Sequence, residues 1–493
     1  MNVLLRTVMV FLALSASASR APAQQAASAA IIGRTLASSQ LAEDLRHLTD
    51  GVGGRVSGSP AMARAVDWAL EALHAANVPA HTESYTMPLT WSEGATRLEL
   101  LDGNRFPIAL VAEGWSAPTP AGGIEAELVH IGNGTEVDFA RAGKRTRDAI
   151  LLVDAPVIQS WDDLDNEYDR AVPIKQRAAA AGASAILWTA ARERRLLYRH
   201  TDTVDGELSA LPMATVARED ALRLARMLDG ASAPVRVRLT MPNLVGGPAQ
   251  ERNVIAEIRG REHPDEVVLL GAHLDSWELG TGALDNGCNA ALVIAAARAI
   301  QASGLRPRRT IRFALFSGEE EGFQGSRAYV VGHRDELDAL QAMVVIDGGA
   351  GRITGFSLAG RADLLEPLKE VMQPLDAFDA AQLSLGGSLG TDNVDFLLEG
   401  VPTLDADQEP ANYMQNYHAA SDTFDKVDLR LLAQNAALIA ALAYGIAERP
   451  SPLGVRQSRA EIEQLLERTG LAKEMKIGGL WEAWAAGRRG RTP

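Results

Sequence analysis

Cysteine is nearly absent: the chain of 493 residues holds one, Cys288. A single thiol cannot close an internal disulfide, so stability must come from core burial, with or without a metal. It also cannot build a structural zinc site of the Cys-rich kind. Positive charge is short as well. Lys and Arg total 48 against 63 Asp and Glu, for a net charge of −15. Nucleic acid and anionic membrane surfaces both need a basic footprint, so neither is an expected partner. Long apolar runs are also missing. Beyond the first segment, no stretch is read as reaching the roughly 18 apolar residues of a membrane-spanning helix. What remains is globular composition, 47 % hydrophobic and 23 % charged, in a chain long enough for two or three domains.

The first 23 residues read as an address. Arg6 precedes the apolar run 7–14 (TVMVFLAL), and Ala21-Pro22-Ala23 is a small-residue cleavage signal. The run is too short to span a bilayer as a helix, and no Cys near the cleavage site offers a lipid anchor. The expectation is a secreted or periplasmic protein, free of the membrane after signal removal.

Residues 24–45 are rich in Ala, Ser and Gln and read as a polar leader with a short helix. Residues 50–55 (DGVGGR) read as a turn. Ser59 and Pro60 then suit the N-cap and first position of a helix over 61–75, in which Ala65, Trp68, Ala69 and Leu73 recur at helical spacing. From about residue 100 to 240 the texture changes. Short strands are expected at 126–130, 150–153 and 185–188, a strand entry at 211–216, and one small-residue helix at 174–181. No His, Cys and carboxylate residues cluster there at ligand spacing. The block therefore reads as an inserted β-rich domain that shapes access, with a homodimer contact through it left open. Deleting about 105–240 is expected to leave any metal ligands elsewhere intact.

From Asn253 onward strands alternate with helices: strand 266–270, helix 288–300, strand 310–316, strand 343–346. That alternation predicts an α/β fold, a mixed, largely parallel sheet with helices on both faces. The layout is then 1–23 signal peptide, 24–100 an N-terminal part of the main domain, 101–243 the insert, 244–450 the core and 451–493 a C-terminal helical extension.

Each of the three core strands runs into residues that bind metals. The first ends in Gly271-Ala272-His273-Leu274-Asp275, followed by Asp285-Asn286-Gly287. The second ends in Ser317-Gly318-Glu319-Glu320-Glu321, and the third in Asp347-Gly348-Gly349. Tyr417-His418 stands further on, ahead of Ser421-Asp422-Thr423. Taken singly, each is bland: a hydrogen-bonded His, an ordinary turn, a solvated charge run. Together they place carboxylates and imidazoles outside the carboxyl ends of strands, where open α/β sheets bind ligands. Abutting carboxylates on buried strands is costly unless cations or hydrogen bonds compensate, and two dications would offset that cost.

These residues carry a family resemblance. The runs HLDSWELGTGALDNG (273–287), FSGEEEGFQGS (316–326) and YHAASDT (417–423) resemble the co-catalytic dizinc peptidases, whose members include plasma glutamate carboxypeptidase, glutamate carboxypeptidase II and bacterial leucyl aminopeptidases. The likeness covers nearly all of the chain after residue 23. It implies the zinc exopeptidase fold, with the stretch from about 100 to 240 as a protease-associated domain. It further implies two zinc ions per chain and a peptide substrate. His273 and Asp347 would hold one zinc, Glu320 and His418 the other, and Asp285 would bridge both. Glu319 would be the general base, Asp275 would orient His273, and Tyr417 would steady the tetrahedral intermediate. The chemistry suits that allocation. Zinc takes His nitrogen and carboxylate oxygen, paired metals activate a shared water, and a neighbouring carboxylate takes its proton. Two departures stand out. Cys288 occupies a position where a small residue is expected, read as packing or as a thiolate. Asp347 sits in the weaker motif IDGGAG. Two relatives of the fold give rival readings, a one-zinc glutaminyl cyclase and a metal-free receptor. Aminopeptidase or dipeptidase action is preferred over carboxypeptidase.

Overall fold

The structure, a computed structural model, describes residues 24–101, 105–201 and 205–492. The expected signal peptide, 1–23, lies outside the described residues. The main sheet has eight strands: β1 (Ala80–Met87), β2 (Ala249–Ile258), β3 (His263–His273), β4 (Arg309–Phe316), β5 (Leu340–Val345), β6 (Ile353–Ser357), β7 (Gln382–Ser384) and β8 (Thr403–Gln408). Their spatial order is β1-β2-β4-β3-β5-β8-β6-β7. The four central strands β4, β3, β5 and β8 run parallel, while β1, β2 and β6 add antiparallel pairings.

Strand alternation distributes the core between two faces. Val268, Leu270 and Ala272 of β3 pack with the helices Cys288–Ser303 and Leu429–Glu448. Val267 and Leu269 face Tyr329, Val330 and Phe396, from the helices Gln324–Gly332 and Val394–Leu398 on the other side. Both faces of β3 are thus covered, which is why its sequence reads as a continuous apolar run. Helix Leu429–Glu448 is long and apolar enough to cross a membrane, with a mean hydropathy of 1.4, contrary to the expectation that no such stretch existed; 72 % of that window is buried inside the fold. It is the core helix of this face.

Ser59 caps the helix Pro60–Ala75 by accepting from Met62 N, and Pro60 takes the first position as the sequence predicts. The segment 24–45 departs from its reading as a polar leader. It forms a helix over 24–36 and another over Gln40–Arg46, and Ile31, Leu41 and Leu45 are buried in the main core. Those few apolar residues at helical spacing outweigh the polar average.

Between β1 and β2 the chain builds a second sheet of seven strands. Its strands include Ile124–His130, Ile150–Val153, Ala185–Thr189 and Met213–Val216. Three pairings are parallel and the rest antiparallel, with helices alongside. The small-residue helix expected at 174–181 is the last part of a 21-residue helix, Trp161–Ala181. A reciprocal cap between Ser160 and Asp163 starts it. Pro173 lies inside it, one residue before the expected start.

Candidate metal centre

The loops at the carboxyl ends of β3, β4 and β5 converge. His273 is the last residue of β3. Asp285 precedes the helix Cys288–Ser303, Glu319 and Glu320 follow β4, and Asp347 follows β5. His273 Nε2 lies 3.2 Å from Asp285 Oδ1 and 3.1 Å from Asp347 Oδ1. His418 Nε2 lies 3.2 Å from Asp285 Oδ2 and 3.0 Å from Glu320 Oε2. Two triads result, His273–Asp285–Asp347 and Asp285–Glu320–His418, with the ligand atoms of each within 4.8 Å of one another. Asp285 belongs to both and turns one oxygen to each. Every metal ligand expected from the sequence is in this cluster, in the expected grouping.

The cluster is charged and nearly dry. Burial would lower His418, but the Glu320 and Asp285 carboxylates override it and hold the imidazole at about 10. His273 likewise rises well above its ordinary value against burial, through Asp347 and Glu319. Burial pushes up the carboxyls of Glu319, Glu320 and Asp347. Asp285 moves the other way: burial is outweighed by both imidazoles, which lower it. Glu320 Oε1 is buried with no hydrogen-bond partner among the described residues. A mixed nitrogen and oxygen donor set with an orphaned carboxylate oxygen fits zinc, and two dications would offset the crowded negative charge.

The remaining expected residues lie beside the triads. Asp275 meets His273 Nδ1 through its main-chain oxygen at 3.1 Å, with its side-chain Oδ1 at 3.6 Å. Its Oδ2 instead accepts the Glu320 N–H at 3.2 Å, pinning the turn that carries both glutamates. Glu319 is half-buried, the more open of the pair. The Tyr417 ring stacks on His418 with centroids 3.7 Å apart, and its hydroxyl meets that of Tyr168 at 3.1 Å. Cys288 is fully buried, and burial raises its thiol well above the usual value; it is a packing residue.

Sequence reasoning missed four contributors. Asp422 was quoted in the motif without a role. Its carboxylate accepts the N–H of Leu284 at 2.7 Å and of Asp285 at 3.1 Å, fixing the bridging residue. Tyr413 donates to Asp285 Oδ2. Arg55, assigned to a turn, is fully buried and donates to the carbonyls of Leu274, Thr281 and Gly282 around the loop between His273 and Asp285. Gly282 there has φ +59°, and a Cβ would come 2.3 Å from Ser276. His200, from the insert, places Nδ1 3.2 Å from His418 Nδ1. The insert therefore touches the cluster directly. Only folding brings residues 200 and 418 together, so no local spacing could have announced this.

Comparison with known proteins agrees with this geometry. Residues 253–443 match peptidase family M28. That stretch carries β3, β4 and β5 and all five residues of the two triads. It is 29 % identical over 410 residues to carboxypeptidase Q of Mus musculus, covering 82 % of this chain and 85 % of that one. It is 24 % identical over 438 residues to aminopeptidase YwaD of Bacillus subtilis (strain 168), covering 86 % and 88 %. The crystal structure of a peptidase M28 precursor from Shewanella amazonensis SB2B superposes with a TM-score of 0.80 at 29 % identity, covering 89 % of this chain and 99 % of that one. A zinc aminopeptidase from Bacillus subtilis shares the fold, with a TM-score of 0.66 at 20 % identity and coverage of 85 % and 97 %.

Proposed function

We propose that this M28 chain is an exported zinc exopeptidase that removes terminal residues from peptides or splits dipeptides. The observation that carries the proposal is the position of Asp285 between two triads. His273, Asp285 and Asp347 would hold one zinc; Asp285, Glu320 and His418 the other. Zinc held there supplies a Lewis acid for the scissile carbonyl and a water of lowered pKa. The chain's own groups do the rest. Glu319, half-buried beside the triads, takes the proton of the attacking water on a carboxylate oxygen and hands it to the leaving amine. Asp275 fixes the turn that carries Glu319 and Glu320 by accepting the Glu320 N–H. Tyr417, which stacks on His418 and meets the Tyr168 hydroxyl, would donate its own hydroxyl to the oxyanion.

The acidic surroundings favour a free amino terminus over a free carboxylate. Asp392 is buried with neither oxygen partnered among the described residues, and burial raises its carboxyl to about 7. A site already crowded with Asp347 and Glu319 repels a second carboxylate and attracts an ammonium. The shared Asp285 argues against a one-zinc transferase. The amino-terminal run 1–23 supports export, and an acidic soluble enzyme of this kind suits the periplasm. The test is mass-spectrometric profiling on a peptide library with free and blocked termini, with zinc measured on the same sample. Loss of cleavage on amino-terminal acetylation is the expected result. Cleavage that survives acetylation but stops on carboxyl amidation would reverse the direction, and a product with an unhydrolysed, cyclised amino terminus would replace the peptidase reading.

A further inference from the structure

One residue of the insert has no part in the chemistry and yet joins three regions around the metal centre. Arg199 is fully buried. Its Nε donates to Ala112 O at 2.9 Å, on the edge strand of the insert. Its other nitrogens donate to Glu93, where the chain enters the insert, and to Glu278, in the loop after Asp275. The guanidinium lies over Trp91 at 4.9 Å and Trp277 at 5.6 Å from the ring centroids. Glu93 also accepts the Ala112 N–H at 2.8 Å, closing a ring around the arginine.

The main chain of the same segment pairs with the ligand loop. Arg199 N–H donates to His418 O at 3.1 Å, and Ala420 N–H donates to Leu197 O at 3.0 Å. Between them Tyr198 and Ala419 form an antiparallel bridge. The imidazole of His418 donates from Nδ1 to Arg199 O at 2.9 Å. With one proton committed to Nδ1, Nε2, which faces Glu320 and Asp285, is the nitrogen that would give up its proton to a metal. His418 also has φ +56°, in the left-handed region that L side chains rarely adopt. Such a conformation persists where neighbours over-determine it, and the neighbours here are residues 197–200 of the insert.

We infer that Arg199 is a positioning residue for His418, clamping the insert onto the ligand loop so that one of the two metal triads depends on the insert and the other does not. The inference rests on the dizinc reading above. Arginine suits the place because its planar fork serves Ala112, Glu93 and Glu278 at once, which a lysine ammonium cannot do.

The test is chelator competition on the full-length protein, read as two zinc equivalents, with thermal unfolding of the metal-free form alongside. In Arg199→Lys one zinc should dissociate about 10–100-fold more readily, as for lost partners of ligand histidines. The other zinc, on His273 and Asp347, should keep its wild-type affinity. Glu278→Gln removes one charge partner of the clamp and should shift the same zinc by less. Should Arg199→Lys fail to fold, Glu278→Gln decides alone. Two variants that unfold earlier yet hold both zincs as tightly as the wild type would overturn the inference, leaving Arg199 a stabiliser only. Equal weakening of both zincs would overturn it too, because the effect would not pass through His418. A wild-type protein that takes up fewer than two zincs would instead bring down the dizinc reading itself.

Discussion

Tyr413 donates its hydroxyl to Asp285 Oδ2 at 3.0 Å, the same oxygen that faces Nε2 of His418. The shared carboxylate is therefore held at both ends. Asp422 fixes its backbone through the N–H groups of Leu284 and Asp285, and Tyr413 fixes its outer oxygen. In the proposed centre Asp285 would bridge two zincs and would need this more than a terminal ligand, since a small rotation of it would misplace both together.

Tyr413→Phe should accordingly lower zinc affinity by about tenfold while leaving the fold intact, since a phenyl ring fills the same space and partners of ligands carry roughly that weight. Chelator competition with unchanged circular dichroism is the check. An unaltered zinc affinity would show that Asp285 needs no support from Tyr413.

Glu319 and Glu320 are adjacent in sequence, and the proposed function gives them separate roles, general base and zinc ligand. Glu319→Gln keeps shape and removes basicity, so the variant should hold both zincs and lose about 10²–10⁴-fold in turnover. Glu320→Gln replaces a charged ligand whose Oε2 sits 3.0 Å from His418 Nε2 with a poorer one, and should lose zinc. Metal analysis separates the two. If Glu319→Gln loses zinc while Glu320→Gln retains both ions, the assignment is reversed.

Much of this centre was legible in the sequence because the buried parallel strands announce themselves. The apolar runs before His273, Ser317 and Asp347 fix where β3, β4 and β5 end, and ligands at strand ends follow from the fold class. The supports were not legible. Arg55 lies 219 residues from Leu274, whose carbonyl it holds, and Arg199 lies 219 residues from His418. Neither arginine sits in a patterned run: Arg55 follows the glycines of a turn and Arg199 stands between Tyr198 and His200, and an isolated Arg in either setting reads as surface. Their meaning comes from what the fold brings against them. The same holds for the segment 24–45, where polar composition concealed Ile31, Leu41 and Leu45 at core positions.

Removal of metal should change the pH dependence of stability as well as its size. In the metal-free protein His418 sits at about 10, against an ordinary 6.5. Asp405, raised by burial and by Asp347, sits at about 8, against an ordinary 3.8. A group whose folded pKa is raised adds stability that is complete below its unfolded pKa and disappears as pH rises through the folded one. For His418 that loss runs from 6.5 to about 10; for Asp405 it runs from 3.8 to about 8. His200 has the opposite sign, because burial lowers it to about 4, but its window closes at its ordinary value of 6.5. Above neutrality the raised groups therefore act together, and the melting temperature of metal-free protein should fall between about pH 7 and about pH 9. Zinc displaces protons from the ligand imidazoles and carboxylates, so the loaded protein should be more stable throughout, by a margin that widens with pH. Thermal unfolding with and without a chelator, at several pH values in that range, measures both slopes. A metal-free melting temperature that stays level or climbs across the range would show that His273, His418 and their carboxylates are not held in the charged, crowded arrangement the two triads require.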